Sequence, residues 1–165
     1  MALGDITIYD EGAFGYPGDE EFAVAASATT IKAGEPVSWA LGGYVVTPMA
    51  TNKPVIGTDY LAGIAATTST NTAAAAGTVR VTKPLPGMSY LIAPLAPTSF
   101  DTQAEYDLLV GDRVLFDLTS STYTITATDG ATYGLTILPL DIKKYPGKVR
   151  FAIRTGATTL GWHNL

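Results

Sequence analysis

At 165 residues and 17.2 kDa, the chain can bury a core as one domain or as two small units packed closely together, and it is too short for two large independent domains. Hydrophobic residues make up 47% and charged residues 15%, a balance that excludes a disordered chain, and the absence of cysteine excludes disulfides and thiolate metal sites. The net charge of −5, with a pI near 4.6, argues against a nucleic-acid partner, whose footprint is normally basic.

No stretch approaches the roughly 20 apolar residues of a membrane-spanning helix, and "MALGDITIYDEG" lacks the basic start and apolar run of a secretion signal. A soluble, unprocessed product with no membrane partner is expected. Helical periodicity is nearly absent, while Thr, Val, Ile and Tyr dominate the patterned stretches. The fold expected is all-β: a small β-barrel or β-sandwich, read as one unit or as two related β units, with one short helix near 101–110.

In chain order, residues 1–28 read either as an extended N-terminal arm with an edge strand at 5–9 or as an ordinary edge strand of the same domain, punctuated by Gly12, Gly15, Pro17 and Gly18. An extended segment can add itself to a neighbour's sheet edge through backbone hydrogen bonds. Ile6, Ile8, Tyr9, Phe14 and Tyr16 are therefore candidate contact residues. The cluster "GDEE" at 18–21 reads as solvated charge on a turn; weak calcium binding is the alternative, although the spacing of a calcium loop is missing.

Residues 29–98 read as a first β unit. Within it "ATTSTNTAAAAG" (66–77) favours a loop, "TVRV" gives a strand burying Val79 and Val81, and the prolines at 84, 86, 94 and 97 break 84–98 into extended pieces that read as a connector or crossover between the two β units. Residues 99–165 read as a second β unit with a C-terminal tail. Thr102 and Glu105 have capping-box spacing, Asp101 offers an alternative cap, and Gly111 supplies a left-handed stop, so about two helical turns are expected here. "RVLFDL" would bury Val114, Phe116 and Leu118. Asp129-Gly130 predicts a two-residue hairpin joining strands at 121–128 and 131–138. "KVRFAIR" would bury Val149, Phe151 and Ile153, leaving Lys148, Arg150 and Arg154 on an outer basic face as further contact candidates.

Three pairs of segments recur in order: "AGEPVSW" with "VGDRVLF", "AGIAATT" with "YGLTIL", and "GTVRV" with "GKVRF". The anchor glycines are Gly34 and Gly111, Gly63 and Gly134, Gly77 and Gly147, at offsets of 77, 71 and 70. Either a β unit is used twice, or two unrelated units share the same turn-then-strand grammar. Charge is also uneven: residues 1–36 carry seven acids against Lys32, and residues 143–154 carry five bases and no acid. The two ends are either separate solvated faces or complementary surfaces that draw neighbouring copies together or dock on a larger partner.

Chemistry-bearing motifs are sparse. The one histidine, His163, lies third from the C-terminal end of the sequence, where a catalytic side chain is poorly held. No phosphate-cradling glycine loop, serine elbow or histidine-rich metal motif occurs, so neither enzymatic activity nor a cofactor is expected. Nine tyrosines and two tryptophans leave room for a glycan-binding surface.

The run "IKAGEPVSW", "YLAGIAATTS", "AAAAGTVRVTKPLPGMSY" resembles the capsid decoration (cement) proteins of tailed bacteriophages. The resembling positions are Gly34 to Val37, Gly63 to Ala65, Ala73 to Gly77 and Val79 to Val81, under half of the chain, and the second half has no counterpart in that pattern. The resemblance implies a non-enzymatic protein made in the host cytoplasm and carried on the capsid exterior. It would bind the major capsid protein, most often as a homotrimer, and clamp neighbouring capsomers. A tail-tube or head-tail joining subunit is the nearest alternative, and a module binding a host-surface glycan is the alternative from another class.

Overall fold

The computed structural model describes residues 5–12, 15–16, 18–40 and 45–157. The fold is all-β with one short helix. Five strands, β2 (Asp19–Val24), β3 (Pro36–Trp39), β4 (Val45–Pro48), β5 (Leu61–Ala65) and β6 (Gly77–Thr82), close a barrel in the order β2-β4-β3-β5-β6. All contacts in the ring are antiparallel except β2 with β4. Its interior holds Phe22, Val24, Ile31, Val37, Val46, Ala62, Ala65, Val79 and Val81, with Trp39 packed against them.

The remaining strands are β1 (Thr7–Asp10), β7 (Ser89–Ile92), β8 (Arg113–Val114), β9 (Phe116–Thr119), β10 (Thr122–Ile125), β11 (Leu135–Leu138) and β12 (Val149–Ile153). They form a sheet ordered β1-β7-β12-β11-β8 and a hairpin of β9 with β10. A parallel bridge from Pro94 to Ile125 joins that hairpin back to the end of β7.

This second unit repeats the first, pairing by pairing. Val37 faces Gly63 as Val114 faces Leu135, and Pro36 faces Ile64 as Arg113 faces Thr136. Ala65 faces Val81 as Ile137 faces Phe151; Glu21 faces Arg80 as Leu91 faces Arg150. Trp39 faces Val46 as Phe116 faces Ile125, and the parallel contact of Val24 with Val46 recurs as Pro94 with Ile125. The turns match too. Glu35 N–H donates to Lys32 O and Asp112 N–H to Leu109 O, while Gly34 N–H donates to Ala65 O and Gly111 N–H to Ile137 O. Gly34 and Gly111 have φ of 85° and 95°, which only glycine adopts without strain at the third position of such a turn. The repeat seen in the sequence is thus a repeated β unit, with the middle match moved by one residue, since register sets Gly63 against Leu135 and not Gly134.

The helix α1 (Gln103–Leu109) forms where capping chemistry places it. Thr102 Oγ1 accepts from Glu105 N–H at 3.3 Å and donates to Glu105 Oε2 at 2.6 Å. Its inward residue, Tyr106, is fully buried.

Four expectations need correction. Asp129-Gly130 does not join paired strands: β10 pairs with β9 through Ser120 and Ser121, whose φ values are 52° and 63°, and β11 pairs with β12 and β8. Asp129 instead accepts hydrogen bonds from Arg113 N–H, Nε and Nη2 at 2.8, 2.9 and 2.7 Å. Residues 84–98 are no mere connector, because they contain β7, a wholly buried strand whose neighbouring prolines lie outside its paired residues. The acids of "GDEE" lie on β2 and not on a turn, so the first unit begins at 19, inside the stretch expected to be an arm. The second unit correspondingly begins at β7.

The two units share a wall. β5 is buried on both faces: Ala62 and Ala65 join the barrel core, while Leu61 and Ile64 join the core of the second unit.

Candidate interface and surface groove

The predicted contact residues of the N-terminal segment divide by exposure. β1 lies along β7, with Thr7 opposite Leu91, Ile8 opposite Tyr90 and Asp10 opposite Ser89. Alternation along this strand turns Ile6 inward, where it is 4% exposed within the second unit's core, and Ile8 packs against the same core. Ile6 is therefore spent on its own chain and offers no surface to a partner. Tyr9 (36% exposed) and Tyr16 (47%) do reach solvent. Phe14 lies outside the described residues.

Tyr9 is held by its surroundings. Its ring meets Tyr145 edge-on at 5.3 Å, and the Arg150 guanidinium stands 4.4 Å over it. Arg150 Nε donates to Ser89 Oγ at 3.0 Å, and Nη2 lies 3.8 Å from Asp10 Oδ2. Arg150 thus clamps β1 across β7 onto β12, joining the acidic front and the basic end of the sequence within one molecule. Arg154 sits at the far end of β12, donating from Nη1 to Tyr133 O (2.7 Å) and Ala131 O (3.3 Å). Lys148 is half-buried just before β12.

Tyr16 belongs to a separate cluster beside the barrel. Its hydroxyl bonds the Asp19 carboxylate and lies 3.2 Å from Thr82 Oγ1, which itself donates to Asp19 at 2.7 Å. Partial burial pushes the Asp19 carboxyl up, but the bonds from Tyr16 and Thr82 and the charge of Arg80 outweigh it and hold the group below its ordinary value. Glu20 is paired with Lys83. Of the acids read as a candidate calcium cluster, Asp19 and Glu20 are therefore committed to neighbours in the sheet, and Glu21 is exposed. Among the described residues, no three His, Cys, Asp or Glu side chains gather as a metal site would require.

Sequence reasoning missed a shallow groove of about 330 Å³ lined by Tyr9, Gln103, Asp107, Pro139, Leu140 and Asp141. Gln103 organises it, donating to Asp107 Oδ1 (2.7 Å) and Leu140 O (3.0 Å) and accepting from Ile142 N–H (3.2 Å). The lining comes from three distant segments, each unremarkable in the sequence. The groove offers one phenol ring and two carboxylates, a surface suited to hydrogen-bond donors and lacking a nucleophile with a base beside it.

The segments Gly34 to Val37, Gly63 to Ala65, Ala73 to Gly77 and Val79 to Val81 fall on or beside β3, on β5, on the loop before β6 and on β6 itself, and these strands are consecutive neighbours in the barrel. A comparison of the chain with protein-family models, with curated proteins and with solved structures finds no match.

Proposed function

We propose that this chain is a structural virion protein that binds the outer surface of a phage capsid, bridges neighbouring capsomers and acts without chemistry of its own. The observation that carries the reading is the repeat: the unit bearing the resemblance occurs twice in one chain. Such a chain holds two units of one backbone topology joined through β5, and each unit can offer a contact of its own. On a shell built of repeated subunits, the second contact becomes intramolecular once the first is made, so two weak contacts hold strongly. A ligand that prefers the expanded arrangement of capsomers stabilises that state by mass action. Association as a homotrimer would multiply the effect again.

The test is co-sedimentation with expanded, undecorated capsids and with unexpanded capsids of the same virus, together with the mass of the free protein in solution. Binding to the expanded form alone, by a trimer, is the expected outcome. No binding to either form overturns the reading, and a hexameric ring in solution points to a tail-tube or joining subunit instead. Truncating the N-terminal segment is a poor probe, because it removes Ile6 from the core as well as any contact surface.

A further inference from the structure

We infer that Asp129-Gly130 is this chain's site of spontaneous backbone isomerisation, a β-aspartyl modification, and that the Arg113 side chain is the group that holds the reaction back in the folded protein. The dipeptide supplies the chemistry. The Gly130 nitrogen attacks Asp129 Cγ and closes a succinimide ring, as one carboxyl oxygen takes up protons and leaves as water. Water then opens the ring. Cleavage of the bond to Cγ restores aspartate, while cleavage of the bond to the Asp129 backbone carbonyl leaves the chain running through Cγ, with no net change in atoms. Glycine favours the first step, because no side chain hinders its nitrogen. Asp129-Gly130 is the one Asp-Gly step in the sequence, and no Asn-Gly step occurs.

The fold holds both reacting groups through one residue. Asp129 Oδ1 accepts from Arg113 N–H at 2.8 Å and from Nε at 2.9 Å, and Oδ2 accepts from Nη2 at 2.7 Å. Two-pronged, charge-assisted pairing of this kind is strong and fixes the carboxylate in place. The side-chain bonds from Arg113, followed by its backbone N–H and its charge, hold the carboxyl down to about 2. The protonated form that loses water is therefore scarce at neutral pH. The nucleophile is engaged as well, since Gly130 N–H donates to Arg113 O at 3.0 Å. Arg113 is itself fixed on β8, opposite Thr136 of β11. Ring closure has to turn the Asp129 torsions, and these contacts pin them at both ends. Burial contributes little, because Asp129 is exposed and water for the second step reaches it. Gly130 is not freely exchanged for a less reactive residue: a Cβ there would stand 2.6 Å from the Tyr133 ring, which would have to move. The packing keeps a labile dipeptide, and Arg113 guards it.

The test incubates the full chain for weeks at pH 7 and physiological temperature, once folded and once in guanidinium chloride. Peptide mapping, with fragmentation that distinguishes the two linkages, follows β-aspartate at residue 129. The folded wild type should accumulate it at least about tenfold more slowly than the unfolded chain. Two variants isolate the side chain. Arg113→Ala leaves the backbone donor and acceptor of residue 113 in place, and Arg113→Lys keeps the charge but loses the fork; amide exchange in β12 selects preparations that remain folded. Removing the charge-assisted bonds in Arg113→Ala should speed isomerisation of the folded chain about tenfold, and Arg113→Lys should speed it by less. Equal rates in folded and unfolded wild type overturn the proposal. So do folded variants that isomerise no faster than wild type, which would leave the protection to the backbone alone, and so does an unfolded chain whose β-aspartate gathers at another residue.

Discussion

Tyr106 shows how one side chain can complete a sheet. Its hydroxyl donates to Leu138 O at 2.8 Å and accepts from Arg150 N–H at 3.0 Å, two groups that face each other across β11 and β12. Burial first, against a smaller pull from Arg150, pushes the phenol up to about 12, so the donor proton is retained at any ordinary pH. Tyr106→Phe keeps the ring and leaves both backbone groups unsatisfied; we expect a loss of about 1–3 kcal/mol in urea unfolding, and a neutral result would mean that the strands re-pair without the hydroxyl. Glu35 gives a pH effect of definite sign. Burial, together with the charge of Asp5, pushes its carboxyl above the ordinary value despite the Lys32 N–H that it accepts at 2.9 Å. The fold thus favours the protonated form, and this stabilisation is present below the unfolded value and lost as pH rises through the folded one. Relative to Glu35→Gln, whose amide oxygen can still accept from Lys32, the wild type should be more stable at pH 4 than at pH 7. Equal differences at the two pH values would show that Glu35 is no more buried folded than unfolded.

Among the elements, those read correctly from sequence are the ones fixed by local chemistry. The helix needed only Thr102, Glu105 and Gly111, and β6 and β12 needed only alternation, with Val79, Val81, Val149 and Phe151 buried. The elements that escaped depend on distant partners. β7 is apolar and short between prolines, so nothing local separates it from a linker, while β2 opens on three acids that packing alone brings into a barrel. The Ser120-Ser121 turn carries none of the usual Asn-Gly or Asp-Gly signal, and Asp129-Gly130 carries it without being a hairpin, because Arg113 claims the aspartate. The exposed groove was invisible for the same reason, as three segments far apart in sequence line it. Close approach between strands is likewise a tertiary fact. A Cβ at Gly63 would stand 2.3 Å from Thr82 O, a backbone atom, whereas one at Gly111 would meet nothing within 4 Å. Gly63→Ala should cost roughly 3 kcal/mol or more by forcing β5 from β6. Gly111→Ala should cost only about 1–2 kcal/mol from its positive φ. Thermal melts that reversed this order would show that β5 can shift where the packing says it cannot.

At the scale of the whole molecule, the two units are repeats in topology and yet cannot behave as two beads. The segment between β4 and β5 leaves the barrel and lies on the second unit: Asn52 N–H donates to Phe116 O, Phe116 N–H to Lys53 O, Gly134 N–H to Pro54 O and Ile56 N–H to Thr132 O. Met49 from this segment, together with Leu61 and Ile64 from β5, enters the second unit's core, and the buried Tyr123 hydroxyl donates to Met49 O at 2.5 Å. The N-terminal segment closes the link from the other side. Ile6 N–H donates to Gly34 O in the first unit, while its side chain sits in the core of the second. Unfolding the barrel would strip β5, Met49 and the 49–60 segment from the second unit, exposing its apolar core to water and leaving the backbone of Phe116 and Gly134 unpaired. Neither unit can open without most of the free-energy cost of opening both. We therefore expect one thermal transition, with calorimetric and van't Hoff enthalpies equal and core amides of β6 and β12 exchanging at one common free energy. A first transition that frees β6 while β12 stays protected would show the shared wall at β5 to be weaker than its burial implies. The rigid spacing between repeats, on which the proposed bivalent attachment to a shell depends, would fail with it.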